Sequence, residues 1–150
     1  MINRWNPAGV PAPVGRYSHV AAVPGGTTLV FVSGQVGNLA DGSLAGPDAL
    51  SQTRQAFANL RSVLDACGAG PDDVVKLLTF VAGAEHLPGF RAARDEVFDA
   101  WYPGGDVPAH SLAVVAALAD PALTVEIEAV VAVDGDLRAP GPGPGHLASS

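Results

Sequence analysis

The chain has 150 residues, the size of one domain with a real core. Charged residues are 15% of it and apolar residues 48%, whereas roughly 25% charge is usual for a soluble domain, so part of the surface is expected to be hidden in a homo-oligomer. Eight Lys and Arg stand against fifteen Asp and Glu, a net charge of −7 with no basic run, which argues against nucleic acid as a partner.

Residues 1–16 carry Pro7, Pro11 and Pro13 with Gly9 and Gly15, and read as an extended N-terminal arm. They lack the continuous apolar core of a signal peptide. No later stretch reaches the roughly eighteen apolar residues of a membrane span. Together with the single cysteine, Cys67, this makes a cytoplasmic location the expectation, with no membrane partner. Next, "SHVAAV" and "TTLVFVSG" flank "PGG" and predict a hairpin. In "GPDALSQTRQAFANLRSVLDACGAG", Leu50, Thr53, Phe57, Leu60, Leu64 and Cys67 recur at helical spacing. Pro47 suits the first turn of that helix and Gly68 its exit. "DDVVKLLTFVAG" predicts a strand buried on both faces. A second helix is expected through "LPGFRAARDEVFDAWYPGG", with Phe90, Ala93, Val97 and Trp101 on one side. Two final strands, "SLAVVAAL" and "LTVEIEAVVAV", are expected to meet at a tight "ADPA" turn.

The resulting order, β-β-α-β-α-β-β, with no Gly-rich phosphate loop, predicts an α+β sandwich over residues 17–133, its helices covering one face of a mixed sheet. The other face then needs a cover, which again points to subunit packing. The Gly/Pro-rich segment 134–150, which includes His146, reads as a disordered tail.

Several polar residues fall where a sheet can collect them. Thr124, Glu126 and Glu128 alternate with apolar residues, so both carboxylates project from one strand face, roughly 7 Å apart. At that separation like charges hinder each other's ionisation, which makes either a candidate general acid or base; on spacing alone, solvated or arginine-paired glutamates are the simpler reading. "GRYSH" supplies Arg16, Tyr17, Ser18 and His19 at a strand entry. "VSGQVG" places Ser33, Gly34 and Gln35 at a strand end, where the glycine permits close approach by a ligand or another backbone. Cys67 closes the first helix's apolar stripe and reads as a core residue rather than a nucleophile. His110 opens a strand directly after "VPA".

In this order, "GRYSHV", "FVSGQVG", "QTRQAFANLRSVLDACG", "DDVVKLLTFV", "VPAHSLAVVAAL" and "VEIEAVVAV" resemble the Rid (YjgF) family of reactive-intermediate deaminases over about residues 15–133. The resemblance implies a chorismate-mutase-like α+β sandwich that forms a homotrimer with active sites between subunits. It also implies hydrolysis of small-molecule enamines and imines to a ketoacid and ammonia, without metal or organic cofactor. By the same resemblance Tyr17 and Glu126 are catalytic, with Glu126 handling the water or the leaving nitrogen; His110, which stands at a family arginine's position, is the third catalytic candidate. Ser33, Gly34, Arg16 and His19 fall at substrate-binding positions, and Asp95 near an asparagine of the second helix.

One position departs from the pattern. Where the family has an arginine that grips the substrate carboxylate, this chain has His110, and the usual glutamine after "YS" is His19. Histidine cannot reproduce the two parallel N–H bonds of a guanidinium, and with an ordinary pKa of about 6.5 it is mostly neutral at pH 7. The departure argues against the standard 2-imino-acid reaction. Three readings of His110 stay open: an acid/base or ligand for a less anionic substrate, a partial arginine substitute helped by Arg16, or a relic in a site that binds without turnover. The function expected is hydrolysis of an imine, enamine or related C–N bond, with a non-catalytic ligand-binding homotrimer as the alternative and RNA cleavage disfavoured by charge. A metal held by His19, His110 and Glu126 has no support in their spacing.

Overall fold

The structure, a computed structural model, describes residues 1–138. Six strands and two helices follow in chain order: β1 (Asn3–Trp5), β2 (Val20–Ala22), β3 (Thr27–Gln35), α1 (Ala49–Ala66), β4 (Val74–Ala82), α2 (Leu87–Trp101), β5 (Ala109–Val115) and β6 (Val125–Asp134). The four long strands form one mixed sheet in the order β3-β6-β4-β5. β6 runs antiparallel to both of its neighbours, and β5 lies parallel to β4 at the edge. The expected α+β sandwich is therefore what the chain forms.

α1 begins at Ala49 because Asp48 caps it. The Asp48 carboxylate accepts the Ser51 N–H at 2.8 Å and the Ser51 hydroxyl at 2.9 Å, and these bonds hold it below its ordinary pKa. Pro47 thus precedes the cap instead of entering the first turn. The helix stops at its Cys67 cap, and Gly68 follows with a φ of +67° that is open to glycine at little cost. Phe57, Leu60 and Leu64 point from α1 into the core and meet Leu77, Val81, Val125, Ile127 and Val131 of the sheet. Each such side chain contributes roughly 1.5–3 kcal/mol when fully buried.

Four expectations need correction. β2 does not pair with β3; it pairs antiparallel with β1, so "PGG" is a corner between two sheets. The arm supplies that extra strand because Arg4 pins it. The Arg4 side chain is 3% exposed, and its guanidinium donates to the Asp72 and Val74 carbonyls and the Asp106 carboxylate, each at 2.8 Å. β5 and β6 are not neighbours, since β6 inserts between β3 and β4 and residues 116–124 must cross the end of β4. β4 is buried on one face only: Leu77, Thr79 and Val81 face the helices, whereas Lys76, Leu78 and Phe80 face the open side. Finally, α2 fills the core with Phe90, Ala93 and Phe98, while Val97 and Trp101 lie half-buried at its margin. Of the tail expected over 134–150, residues 139–150 lie outside the described residues, and Asp134 ends β6.

Gln52 shows how a polar side chain can belong to this core. It is fully buried, donates to the Gly46 and Ala122 carbonyls at 3.0 Å, and accepts from the Thr124 N–H and hydroxyl at 2.9 and 3.1 Å. It therefore ties the loop before α1 to the crossing segment before β6. Gln52→Ala strands several buried polar groups and leaves a void, an expected loss of about 3 kcal/mol. In a chain of this size that lowers Tm by roughly 10 °C; thermal unfolding of the two proteins checks it.

Candidate active site

The sheet sorts the candidate residues into two groups, one on each face. Residues paired across a ladder point to the same side. His110 pairs with Leu77 and so faces the helices, whereas Glu126 pairs with Phe80 and faces the open side. Within one protomer the two therefore do not meet.

The first group lies where "GRYSH" is stitched to the start of β5. The Ser18 N–H donates to the Pro108 carbonyl at 3.0 Å and its hydroxyl to the Val107 carbonyl at 2.7 Å, fixing Tyr17 beside the mouth of the strand. The His19 ring stands edge-on to Tyr17 with centroids 5.4 Å apart. Its Nε2 lies 2.9 Å from the Pro11 carbonyl oxygen, and its backbone N–H donates to the Asn6 side chain at 2.9 Å. His19 thus braces the arm against Tyr17.

A cavity of about 740 Å³ opens beside Tyr17, and Arg16, Arg91, Arg94, His110 and Leu112 line it. The two arginines of "RAAR" were missed in the sequence, although their three-residue spacing on α2 puts both on one helix face.

His110 is largely buried here. Its Nε2 shares a 2.9 Å hydrogen bond with the Thr79 hydroxyl, and its ring packs against Phe90 and Phe98 with centroids 6.4 and 6.1 Å away. Burial, aided by the positive charges of Arg94 and Lys76, pulls its pKa down to about 4. At neutral pH it is uncharged, so it cannot stand in for an arginine by charge. Arg16, the basic residue beside Tyr17, is itself paired. It binds the Asp99 carboxylate at 2.7 Å and the Asp95 carbonyl at 3.2 Å, and its guanidinium lies over the Phe98 ring. Asp95 accepts from Arg94 at 2.9 Å.

The second group sits on the open face. β3 breaks register between Val32 and Gln35, so Ser33 and Gly34 stand opposite the single Glu128. This bulge brings Gly34 directly beneath the half-buried Glu126 side chain, and a Cβ at Gly34 would overlap the Glu126 carboxylate. The glycine is thus needed for close approach. Ser33 and Glu128 are exposed. Around them the face shows Leu29 and Phe31, the latter 76% exposed. Among the described residues no cluster of three or more His, Cys, Asp or Glu could hold a metal, and no helix is long and apolar enough to cross a membrane.

Comparison with known proteins agrees with this architecture. The family pattern described as Endoribonuclease L-PSP matches residues 8–133. A 2-iminobutanoate/2-iminopropanoate deaminase of Dermatophagoides farinae is 34% identical over 125 residues, covering 83% of this chain and 91% of that protein. The mouse protein of the same name is 32% identical over 126 residues, covering 83% and 86%. The crystal structure of a Rid-family protein of unknown function from Yersinia pestis superposes with a TM-score of 0.75 at 36% identity, covering 88% of this chain and 98% of that one. A fold, a family pattern over most of the chain and these relatives agree: the chain belongs to the Rid (YjgF) family, whose pattern carries the description Endoribonuclease L-PSP.

Proposed function

We propose that the protein hydrolyses the C=N bond of a small imine, or of the enamine that tautomerises to it, at a site shared between protomers of a homotrimer. The observation that carries this reading is the division of the candidate residues: Tyr17 and His110 edge one cavity, while Ser33, Gly34 and Glu126 cluster on the opposite sheet face. Each group lacks what the other holds. The apolar open face around Phe31 gives a second copy a surface to cover.

In such a site water adds to the imine carbon, with Glu126 taking a proton from it. The tetrahedral carbinolamine then collapses to the carbonyl as the nitrogen receives the proton and leaves as ammonia. Tyr17 and Ser33 offer hydroxyls to orient the substrate. Neutral His110, fixed by Thr79, can donate or accept one hydrogen bond without adding charge. A second reading, binding without turnover, is favoured by the histidine where the family's arginine is expected.

A complementation experiment separates the two. Tyr17→Ala and Glu126→Gln, each inactive alone, are expected to regain about a quarter of wild-type ammonia release when mixed and reassembled, because random pairing restores that share of shared sites. No recovery after verified subunit exchange rejects the shared site. A wild type that binds small molecules in a thermal-shift screen but releases no ammonia from any fresh imine leaves only the binding reading.

A further inference from the structure

We propose that Arg91 and Arg94 of α2 are the anion anchor of the cavity beside Tyr17, and that its ligand is a small organic acid bearing a single carboxylate. This rests on the reading above in taking that cavity as the substrate half-site, and it adds the residues of α2 that take up the ligand's acid group. Three guanidinium groups and no acidic side chain line the cavity, an arrangement that favours an anion.

The three arginines are not equivalent. Arg16 is occupied by Asp99 at 2.7 Å and lies over Phe98. Arg94 has a side chain only 12% exposed, with its guanidinium over the Phe90 ring, 5.7 Å from the centroid. Its Nε and Nη2 both reach one oxygen of Asp95, at 3.0 and 2.9 Å, and its Nη1 takes no protein acceptor among the described residues. Arg91, exposed one turn earlier, forms no ion pair among them. Both therefore have donors to offer an incoming group, and Arg94 is held rigid by the aromatic ring and Asp95.

Charge decides the class of ligand. Arg16, Arg91 and Arg94 against Asp95 and Asp99 leave one net positive charge, and His110 adds none. One excess charge matches a monocarboxylate and falls short of a phosphate dianion. Val14 and Leu112 complete the wall and suit a short alkyl chain. The anchor has in effect moved from strand to helix: the strand position holds an uncharged ring, and the cations come from the helix above it.

The test is a binding measurement that needs no turnover. Butyrate, butyramide and inorganic phosphate are titrated by calorimetry into the full-length protein and into Arg91→Gln, Arg94→Lys and the double variant, at one low ionic strength. Wild type is expected to bind butyrate at least tenfold more tightly than butyramide or phosphate. Arg91→Gln should weaken butyrate about tenfold and the double variant about a hundredfold, with butyramide unmoved. Arg94→Lys keeps the charge and the packing of the stem but loses the fork, so an intermediate loss is expected. Equal affinity for butyrate and butyramide, preference for phosphate, or butyrate binding that ignores Arg91 overturns the proposal. If acid binding follows the arginines while no imine is hydrolysed, the reaction fails and the anchor stands. If imines are hydrolysed with a KM that ignores both arginines, the anchor fails and the reaction stands.

Discussion

Glu126→Gln is expected to lower ammonia release from freshly generated imines by roughly 10²–10⁴-fold, the usual range for loss of a positioned general acid or base. The substitution keeps the shape of the side chain. It therefore preserves the contact with Gly34, and the fold should be unaffected because Glu126 makes no hydrogen bond or ion pair with another side chain among the described residues. Melting temperature and KM should move little while kcat falls. Glu128→Gln is the matched control: it lies two residues on along the same face but is exposed and opposite the bulge, so its effect should stay within a fewfold. Equal rates for wild type and Glu126→Gln on an active preparation would remove the glutamate from the chemistry. A large fall in Glu128→Gln would move the reacting centre along the strand.

Acid should expose His110. Its pKa in the folded chain is about 4, against about 6.5 in an unfolded one. Above pH 6.5 the ring is neutral in both states and costs nothing. As pH falls from about 6.5 to about 4, the unfolded chain takes up a proton that the folded chain refuses, so stability declines through this window and the penalty is complete below it. The gap corresponds to about 3 kcal/mol. Exposed carboxylates such as Asp48 and Glu96, held below their ordinary pKa by hydrogen bonds, also lose their contribution on acidification. They do so equally in a variant that keeps them. His110→Gln retains a partner for Thr79 and cannot titrate. Denaturant unfolding at several pH values should show the wild type losing about 3 kcal/mol more than His110→Gln between pH 7 and pH 4. Parallel curves would place the imidazole in water rather than under α2.

Much of the fold was legible because periodicity reports burial. The α1 stripe from Thr53 to Leu64 is buried as its spacing demands, and alternation in "TVEIEAV" put Glu126 and Glu128 on one face. What escaped was pairing. Local sequence marks β2 and β3 as strands but does not say that β1 pairs with β2, or that Arg4, far along the chain from Asp72 and Asp106, ties β1 to them. Nor does it place the last strand between two earlier ones. At the site, "PAHS" located His110 but not its charge, which depends on burial against Phe90 and Phe98 and on Arg94. The ion pair of Arg16 escaped for a similar reason. Asp99, its partner, lies on a different element, and nothing near "GRY" announces it.

The central position of β6 has a consequence for how the chain assembles. β3 touches the rest of the sheet only through β6, so a nascent chain stopped before Val125 has β3 without a partner and a β4–β5 pair with an unsatisfied edge. The ladder closes only when segments roughly a hundred residues apart, such as Thr27 and Asp134, find each other. Such long-range closure is slow and leaves apolar strand edges open to other chains meanwhile. Truncation inside β6 should therefore yield a product that clumps rather than a smaller soluble domain, and synthesis must run nearly to the end of the strand before the molecule is safe from its neighbours.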